Sequence, residues 1–397
     1  MTTLHDISTP SLVLDVTRLL ANCEFMAARA KQLGVRLRPH MKTAKSADVA
    51  RVATAGQFGG ITVSTLAEAE YFFAHGFNDI TLAVGFLPDR LPRALALVRQ
   101  GAALRILTDS EAAATLIAAG AADVAPHRLG VLIEVDCGDR RGGVNPAGDE
   151  LLAIARAIHG KAGVRLAGVL THGGHSYRCS SIEEIQAVAR HERDSVVHAA
   201  ERLRAAGLPC ETVSVGSTPT CTHAQDYAGC TEMRPGVYML GDLDQVGLES
   251  LPASRVAATV LCSVIGVYPD QNKLIVDAGG LALSKDAGAQ RHGDQIGYGL
   301  VLDIDGKPLR RIVHVEGTRT GSVTKPVDAW VFAASQEHGQ ITAADPLPFE
   351  KLKVGTRLRI LPNHICMTAA AHPGFYVVEG GSEVVAQWGR INGWGNW

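Results

Sequence analysis

No apolar run in this chain reaches the roughly 18 residues that would span a bilayer, so no membrane helix is expected. Neither sign of charge dominates. The 38 Lys and Arg against 40 Asp and Glu leave a formal charge of −2, which offers no footprint for nucleic acid or an anionic membrane. The N-terminal Met1-Thr2-Thr3-Leu4-His5-Asp6 lacks the basic-then-apolar layout of a signal peptide, and the expectation is a cytoplasmic protein. The eight cysteines, at 23, 137, 179, 210, 221, 230, 262 and 366, form no Cys-x-x-Cys and no paired framework. Reduced thiols are therefore expected. There is no solenoid repeat and no low-complexity tract. The glycine-rich loops lack the P-loop pattern, which argues against nucleotide binding.

What is present is the texture of a soluble globular protein, 46% apolar and 20% charged over 397 residues. That length allows two or three domains, or a barrel plus a smaller domain. Apolar runs at 11–15, 35–39, 60–64, 80–84, 104–108, 129–136, 166–171 and 212–216 read as strands, most of them followed by amphipathic stretches. Repeated βα units imply a parallel sheet, and eight of them match a closed (β/α)8 TIM-type barrel. A doubly wound open sheet is the alternative. From about residue 250 the pattern changes. Runs at 255–268, 273–277, 310–316, 329–333, 356–361 and 375–378 are β-branched, and glycine, asparagine, aspartate and proline separate them. This reads as an all-β second domain.

In a barrel the chemistry sits at the carboxyl ends of the strands. Lys42 follows the second expected strand and Ser64-Thr65 the third. Asp136 closes the sixth, with Arg141 in the loop beyond it. Thr171-His172-Gly173-Gly174-His175-Ser176-Tyr177 follows the seventh and Gly216-Ser217-Thr218-Pro219-Thr220 the eighth. A lysine at a strand exit serves covalent chemistry when desolvation lowers its pKa; a solvated lysine at the start of a helix fits the same stretch. Small residues and hydroxyls around Ser217 suit an anion, because backbone N–H groups can approach it closely; an ordinary turn fits as well. Together the two suggest pyridoxal 5′-phosphate, its aldehyde on Lys42 and its phosphate near Ser217. A metal-dependent barrel hydrolase without that coenzyme is a further reading, and it would leave the protein colourless.

The segment Leu361-Pro362-Asn363-His364-Ile365-Cys366 ends an expected strand. His364 and Cys366, two apart, would project to one side, and both are zinc ligands. A core cysteine beside a surface histidine is the alternative. His191-Glu192 lacks the second histidine of a helical zinc-protease motif and is assigned to a solvated helix face.

Four segments carry a resemblance. Arg38-Pro39-His40-Met41-Lys42-Thr43, Thr62-Val63-Ser64-Thr65-Leu66-Ala67-Glu68-Ala69-Glu70, Val213–Thr220 and Pro362-Asn363-His364-Ile365-Cys366 resemble, in order and spacing, the D-serine dehydratase / D-threonine aldolase family. These are fold-type III pyridoxal-phosphate enzymes related to alanine racemase. The resemblance implies a barrel over 10–247 and a β domain of 1–9 plus 248–397. It implies a homodimer that takes a small D-amino acid, with no nucleic acid or membrane partner. Lys42 would be the Schiff-base lysine. Gly216, Ser217 and Thr218 would hold the phosphate with the 234–238 segment, which includes Gly236 and Tyr238. His172 would also contact the coenzyme, Tyr177 its pyridine nitrogen, and Arg141 the region of its phenolic oxygen. His364 and Cys366 would ligate Zn2+, with Mn2+ or Mg2+ as alternatives. His-x-Cys resembles the dehydratase branch, which converts D-serine, D-threonine or D-threo-3-hydroxyaspartate to a 2-oxo acid and ammonia. His-x-Asp marks the aldolase alternative. A pyridoxal-phosphate carrier resembles the barrel half alone and needs no metal.

Overall fold

The first expected barrel strand is not in a barrel. Strand β1 (Ser11–Asp15) pairs antiparallel with residues 258–261 and parallel with residues 376–378. The run Ser-Leu-Val-Leu-Asp is buried along almost its whole length, and such a run carries no mark of which sheet it will join. The computed structural model describes residues 1–288, 296–314 and 322–394. It divides into a unit of Cys23–Tyr238 and a unit of Met1–Asn22 with Met239–Asn392. Residues 10–22 and 239–247, expected in the barrel, thus fall in the β unit.

The Cys23–Tyr238 unit contains β2 (Arg36–Leu37), β3 (Ile61–Val63), β4 (Asp79–Gly85), β5 (Ala103–Thr108), β6 (Leu129–Glu134), β7 (Val164–Leu170), β8 (Thr212–Val215) and β9 (Glu232–Met233). They form one parallel sheet in the order β2-β9-β8-β7-β6-β5-β4-β3. A parallel bridge between His40 and Thr62 closes it, with Met41 N–H donating to the Thr62 carbonyl at 2.8 Å and Thr62 N–H to the Pro39 carbonyl at 2.9 Å. This is the expected eight-stranded barrel, with β9 in the place assigned to β1. At two residues, β9 is too short to show a periodicity. The strands are apolar on both faces because helices cover the outside. Thr65, Ser110 and Ser181 cap three of those helices, each accepting the backbone N–H three residues on.

The barrel interior is not wholly apolar. Arg38, 1% exposed, donates through Nε to Glu232 Oε2 at 2.9 Å, and its other end meets Asp79. Arg105 also binds Asp79. Ser214 Oγ donates to Glu232 Oε1 at 2.8 Å and accepts from Arg234 at 2.6 Å. Arg234 donates onward to the Thr171 carbonyl at 2.5 Å. A polar chain, Asp79–Arg38–Glu232–Ser214–Arg234–Thr171, therefore runs up the inside of the sheet.

In the other unit, β10 (Ala258–Tyr268), β11 (Lys273–Val276), β12 (Leu300–Asp303), β13 (Leu309–His314), β14 (Ser322–Val327), β15 (Ala329–Ala334), β16 (Gly339–Ala343), β17 (Arg357–Leu361), β18 (Gly374–Val378) and β19 (Val384–Gly389) follow β1. The sheet order is β11-β16-β15-β12-β17-β10-β1-β18-β19, and β11 also pairs with β10. Strands β10, β11, β16, β15, β12 and β17 thus close into a ring, as expected of an all-β domain. Strands β13 and β14 pair as a separate hairpin. Of the expected strand 310–316, residues 315 and 316 lie outside the described residues. Leu4, Ile7, Val13, Leu261 and Val378 form one core of this unit.

The barrel's ion pairs set a stability test. Burial works to raise the Glu232 carboxyl, but the Arg38 charge and the hydrogen bonds from Arg38 and Ser214 outweigh it and hold the pKa below its ordinary value. Its contribution is present above the ordinary carboxylate range and is lost as pH falls through the lowered value. Glu232→Ala leaves Arg38 buried and partly unpaired, and is expected to cost about 3–5 kcal/mol in urea unfolding at neutral pH. That difference should shrink in acid.

Candidate active site

The carboxyl ends of the barrel strands surround a cavity of about 440 Å³, within the size range of small-molecule sites. Lys42, Ser64, Asp109, Glu134, Arg141, His172, Gly216 and Arg234 are among its lining residues, each at or just beyond the end of a strand.

Lys42 leads from β2 towards the helix Ala47–Thr54. It is half-buried and, among the described residues, has no ion-pair partner. Lys45, three residues on, is different. Its backbone is left-handed, with φ of 48°, and its Nζ lies 3.2 Å from the buried Glu68 carboxylate. Glu68 also accepts the Ser64 N–H at 2.9 Å. Lys45 is thus paired with a carboxylate, and among the described residues Lys42 is the one lysine that lines the cavity.

Two histidines flank it. His40 Nδ1 accepts the Lys42 backbone N–H at 3.3 Å, which leaves its proton on Nε2. His172 Nδ1 lies 3.0 Å from the Gly216 carbonyl. A carbonyl only accepts, so Nδ1 carries the proton and Nε2 keeps a lone pair. Burial, then the positive charges of Lys42 and Arg141, pulls the His172 pKa down to about 3. His40 is lowered for the same leading reasons, burial and Lys42. Both rings are neutral at neutral pH. Across the cavity, burial pushes the Glu134 carboxyl up, Arg141 draws it back and Asp109 pushes it up again. Arg141 stands 3.5 Å from Glu134 with 58% of its side chain exposed, so it is a loosely held cation.

Of the expected coenzyme residues, the structure brings Lys42, Arg141, His172 and Gly216 to one cavity. Ser217, Thr218, Gly236 and Tyr238 are not in its wall. Ser217 is 2% exposed and caps the short helix Thr218–His223, and it exchanges a hydrogen bond with Ser176 Oγ at 3.0 Å. Thr218 Oγ1 accepts the Tyr238 N–H at 3.2 Å. A Cβ on Gly236 would lie 2.7 Å from the His40 carbonyl oxygen, so only glycine lets the chain pass there. Tyr177 sits on the single turn Gly174–Arg178 and does not line the cavity.

Glu192 corrects the sequence reading outright. It is fully buried rather than solvated, and its Oε1 accepts the Gly173 N–H at 2.6 Å and the Gly216 N–H at 2.9 Å. The signal was in the sequence: Glu192 falls in the stripe Ile185, Ala189, Glu192, Val196, Ala199 and Leu203, spaced as one helix face. His40, Asp109, Glu134 and the Arg234 side chain carry no such mark, because only strand order brings them together.

In the β unit the strand stops at Leu361, and His364 stands at the start of the helix Ile365–Ala369, so the pair is not on a strand. His364 and Cys366 are nonetheless hydrogen-bonded to each other. His364 Nδ1 also lies 2.7 Å from Asp286 Oδ2. Burial opposes charge on this imidazole, but Cys366, Asp242 and Asp286 raise its pKa to about 10. Buried Asp242 accepts the Ile365 N–H at 3.0 Å, and burial takes its own pKa to about 7. Among the described residues, no three His, Cys, Asp or Glu side chains gather as a metal site. The sequence reading missed Asp242 and Asp286, which lie far from the pair in the chain.

A closed parallel barrel with a lysine in the cavity at its carboxyl rim, in one chain with an antiparallel β unit, defines the alanine racemase-like class of barrel enzymes. Residues 14–244 match the family described as alanine racemase, N-terminal domain, and residues 257–378 a family described as a serine dehydratase domain. The D-threo-3-hydroxyaspartate dehydratase of Delftia sp. strain HT23 is 44% identical over 398 residues, 99% of each chain. Its crystal structure superposes with a TM-score of 0.89 over 99% of this chain and 100% of that one, at 43% identity. The D-serine dehydratase of Dictyostelium discoideum is 29% identical over 96% of each chain. The D-threonine aldolase of an Arthrobacter species is 27% identical over 94% of this chain and 90% of its own. The chain belongs to the D-serine dehydratase / D-threonine aldolase family of lyases.

The neutral histidines set a pH test. Between the ordinary histidine pKa of about 6.5 and the lowered value, the unfolded chain takes up protons that the folded chain refuses. Stability is expected to fall as pH drops from 6.5 towards about 3. In acid titrations followed by circular dichroism, His172→Gln should lose less stability across that window than the parent.

Proposed function

We propose that the barrel cavity holds pyridoxal 5′-phosphate on Lys42 and that the protein removes water from D-β-hydroxy amino acids, D-threo-3-hydroxyaspartate and D-serine among them. The product would be a 2-oxo acid with ammonia. The observation that carries this reading is the Lys42 amine: among the described residues it is the one lysine in the cavity wall and has no carboxylate partner, and two neutral imidazoles flank it. The chain's kinship supports the choice of reaction, since the 44% identical relative is named a dehydratase and the aldolases fall near 27%.

The residues fit the coenzyme. Gly216, with φ of +117°, has no side chain to intrude on the cavity, and a Cβ there would lie 2.6 Å from Cys221 Sγ. Lys42 would hold the aldehyde, and Arg141 and His172 would face the ring. Gly216, Ser217, Thr218, Gly236 and Tyr238 would serve the phosphate side, and Tyr177 the pyridine nitrogen. When bound, the coenzyme supplies an electron sink for negative charge at the substrate α-carbon. Lys42 Nζ takes the α-proton as general base. His172, neutral and pinned through Nδ1–H, adds no charge that would compete with that transfer. Arg141, loosely held, is the cation free to meet a substrate carboxylate.

The donors also fit a metal. An imidazole and a thiol in contact match a borderline-soft ion such as zinc. His364 and Cys366 would hold it, with Asp286 orienting the imidazole from its other nitrogen. Such an ion supplies a Lewis acid for a hydroxide leaving group. A cysteine-to-alanine variant of a D-threo-3-hydroxyaspartate dehydratase, 43% identical to this chain, is described as in the metal-free form, which supports this role. A cytoplasmic homodimer is part of the same proposal.

Product analysis tests the reaction. D-serine should yield pyruvate with ammonia, and D-threo-3-hydroxyaspartate oxaloacetate with ammonia. Glycine with formaldehyde or glyoxylate would overturn the dehydratase reading in favour of cleavage. For the metal, Cys366→Ala should lose bound zinc by elemental analysis and retain at most about one part in a hundred of the activity. Unchanged metal content and activity would remove Cys366 from the ligand set.

A further inference from the structure

On the long helix Ile182–Ala205, an apolar side chain at position 192 would complete the buried stripe. Glu192 stands there instead, with no exposed surface. A buried carboxyl group is costly unless its oxygens are partnered. Here Oε2 is buried and, among the described residues, has no hydrogen-bond partner, while Oε1 accepts two backbone N–H groups, from Gly173 and Gly216. Packing alone does not account for this choice: a leucine would cover the same surface but would leave the Gly173 and Gly216 amides without an acceptor.

The connections close a ring. Glu192 Oε1 holds the Gly216 N–H at 2.9 Å. The Gly216 carbonyl holds the His172 Nδ1–H at 3.0 Å. His172 is bonded to Gly173, whose N–H returns to Glu192 Oε1 at 2.6 Å. Two members, His172 and Gly216, line the cavity, and Glu192 does not. The glycines are part of the device. A Cβ on Gly173 would come within 3.2 Å of Glu192 Cδ, and Gly216 holds a left-handed φ of +117°.

We infer that Glu192 is a positioning residue, which through Gly173 and Gly216 fixes the tautomer of His172 and the placement of the turn at 216–218. What the ring requires is one oxygen that accepts two N–H groups, not a charge. Burial pushes the Glu192 carboxyl up, and the Gly216 and Gly173 amides, Thr220 and Arg234 pull against it. Glutamine reproduces that oxygen; leucine and alanine remove it.

The test uses the full-length chain and the variants Glu192→Gln, Glu192→Leu and Glu192→Ala. One arm reads the His172 ring nitrogens by 15N NMR, with the resonance assigned by its loss in His172→Gln. The parent and the Gln variant should show the Nδ1–H tautomer. The Leu and Ala variants should show a mixture of tautomers, and whichever of the two folds, by circular dichroism, decides the point. The other arm rests on the pyridoxal-phosphate reading above and titrates stripped protein with that coenzyme. Removing an acceptor shared by two buried amides should weaken affinity about tenfold or more in the Leu and Ala variants. The Gln variant should stay within about threefold of the parent. An unchanged tautomer and affinity in the Leu or Ala variant would overturn the inference, as would a Gln variant as impaired as they are. If the parent itself fails to take up the coenzyme, the functional reading falls, and the NMR arm still decides the role of Glu192.

Discussion

The charges inside the barrel alternate along one continuous path, from Asp79 through Arg38 and Glu232 to Ser214 and Arg234, and the cavity wall is anchored to its upper end. In a low-dielectric interior each member needs its neighbours. Removing one leaves the next unpaired, at several times the net worth of the contact itself. Such a chain is weak evidence for stability but strong evidence for a defined arrangement. Arg234 cannot swing, because Ser214 holds one of its amino groups and the Thr171 carbonyl the other. The wall beside Lys42 is therefore stiff, which suits a site that must hold reacting groups in register.

Within that wall the electrostatics single out one amine. Lys42 and Lys45 stand three apart in a short segment and are chemically alike. Glu68 takes the charge of Lys45, and among the described residues no carboxylate does the same for Lys42. The nearby histidines are kept neutral by burial and by Lys42 itself. Arg141 and Glu134 lie across the cavity and pair only loosely, at 3.5 Å. Lys42 is thus left without a carboxylate partner among the described residues, while the two histidines beside it are held neutral.

The β unit treats His364 and Cys366 in the same manner. Asp242 holds the backbone at Ile365 and Asp286 holds the imidazole, so the two donors keep their contact across the start of a helix. Around Glu192 the same logic serves the barrel: one buried oxygen gathers the chain leaving β7 and the chain leaving β8.

The sequence by itself determined the class. Alternating apolar and amphipathic runs implied a (β/α)8 barrel, β-branched runs implied the second domain, and the segments around Lys42, Ser217 and His364 resembled one family of lyases. These features were legible because they are local: periodicity, turn residues and motif spacing are properties of neighbouring positions. The strand 11–15 was placed in the wrong sheet, and the two-residue β9 was passed over, because strand pairing is a choice among distant partners that a short apolar run does not encode. Glu192 was taken for a surface residue although its helical phase said otherwise, since a carboxylate at a buried position makes sense only once the Gly173 and Gly216 amides are seen to meet it. Only the tertiary structure decided which of two lysines is left uncommitted, which histidine tautomers face the cavity, and that Arg38, Glu232 and Arg234 form one chain of charges. Apart from the His40 tautomer, set by the Lys42 N–H two residues on, each of those outcomes depends on low-dielectric contact between residues tens to hundreds of positions apart.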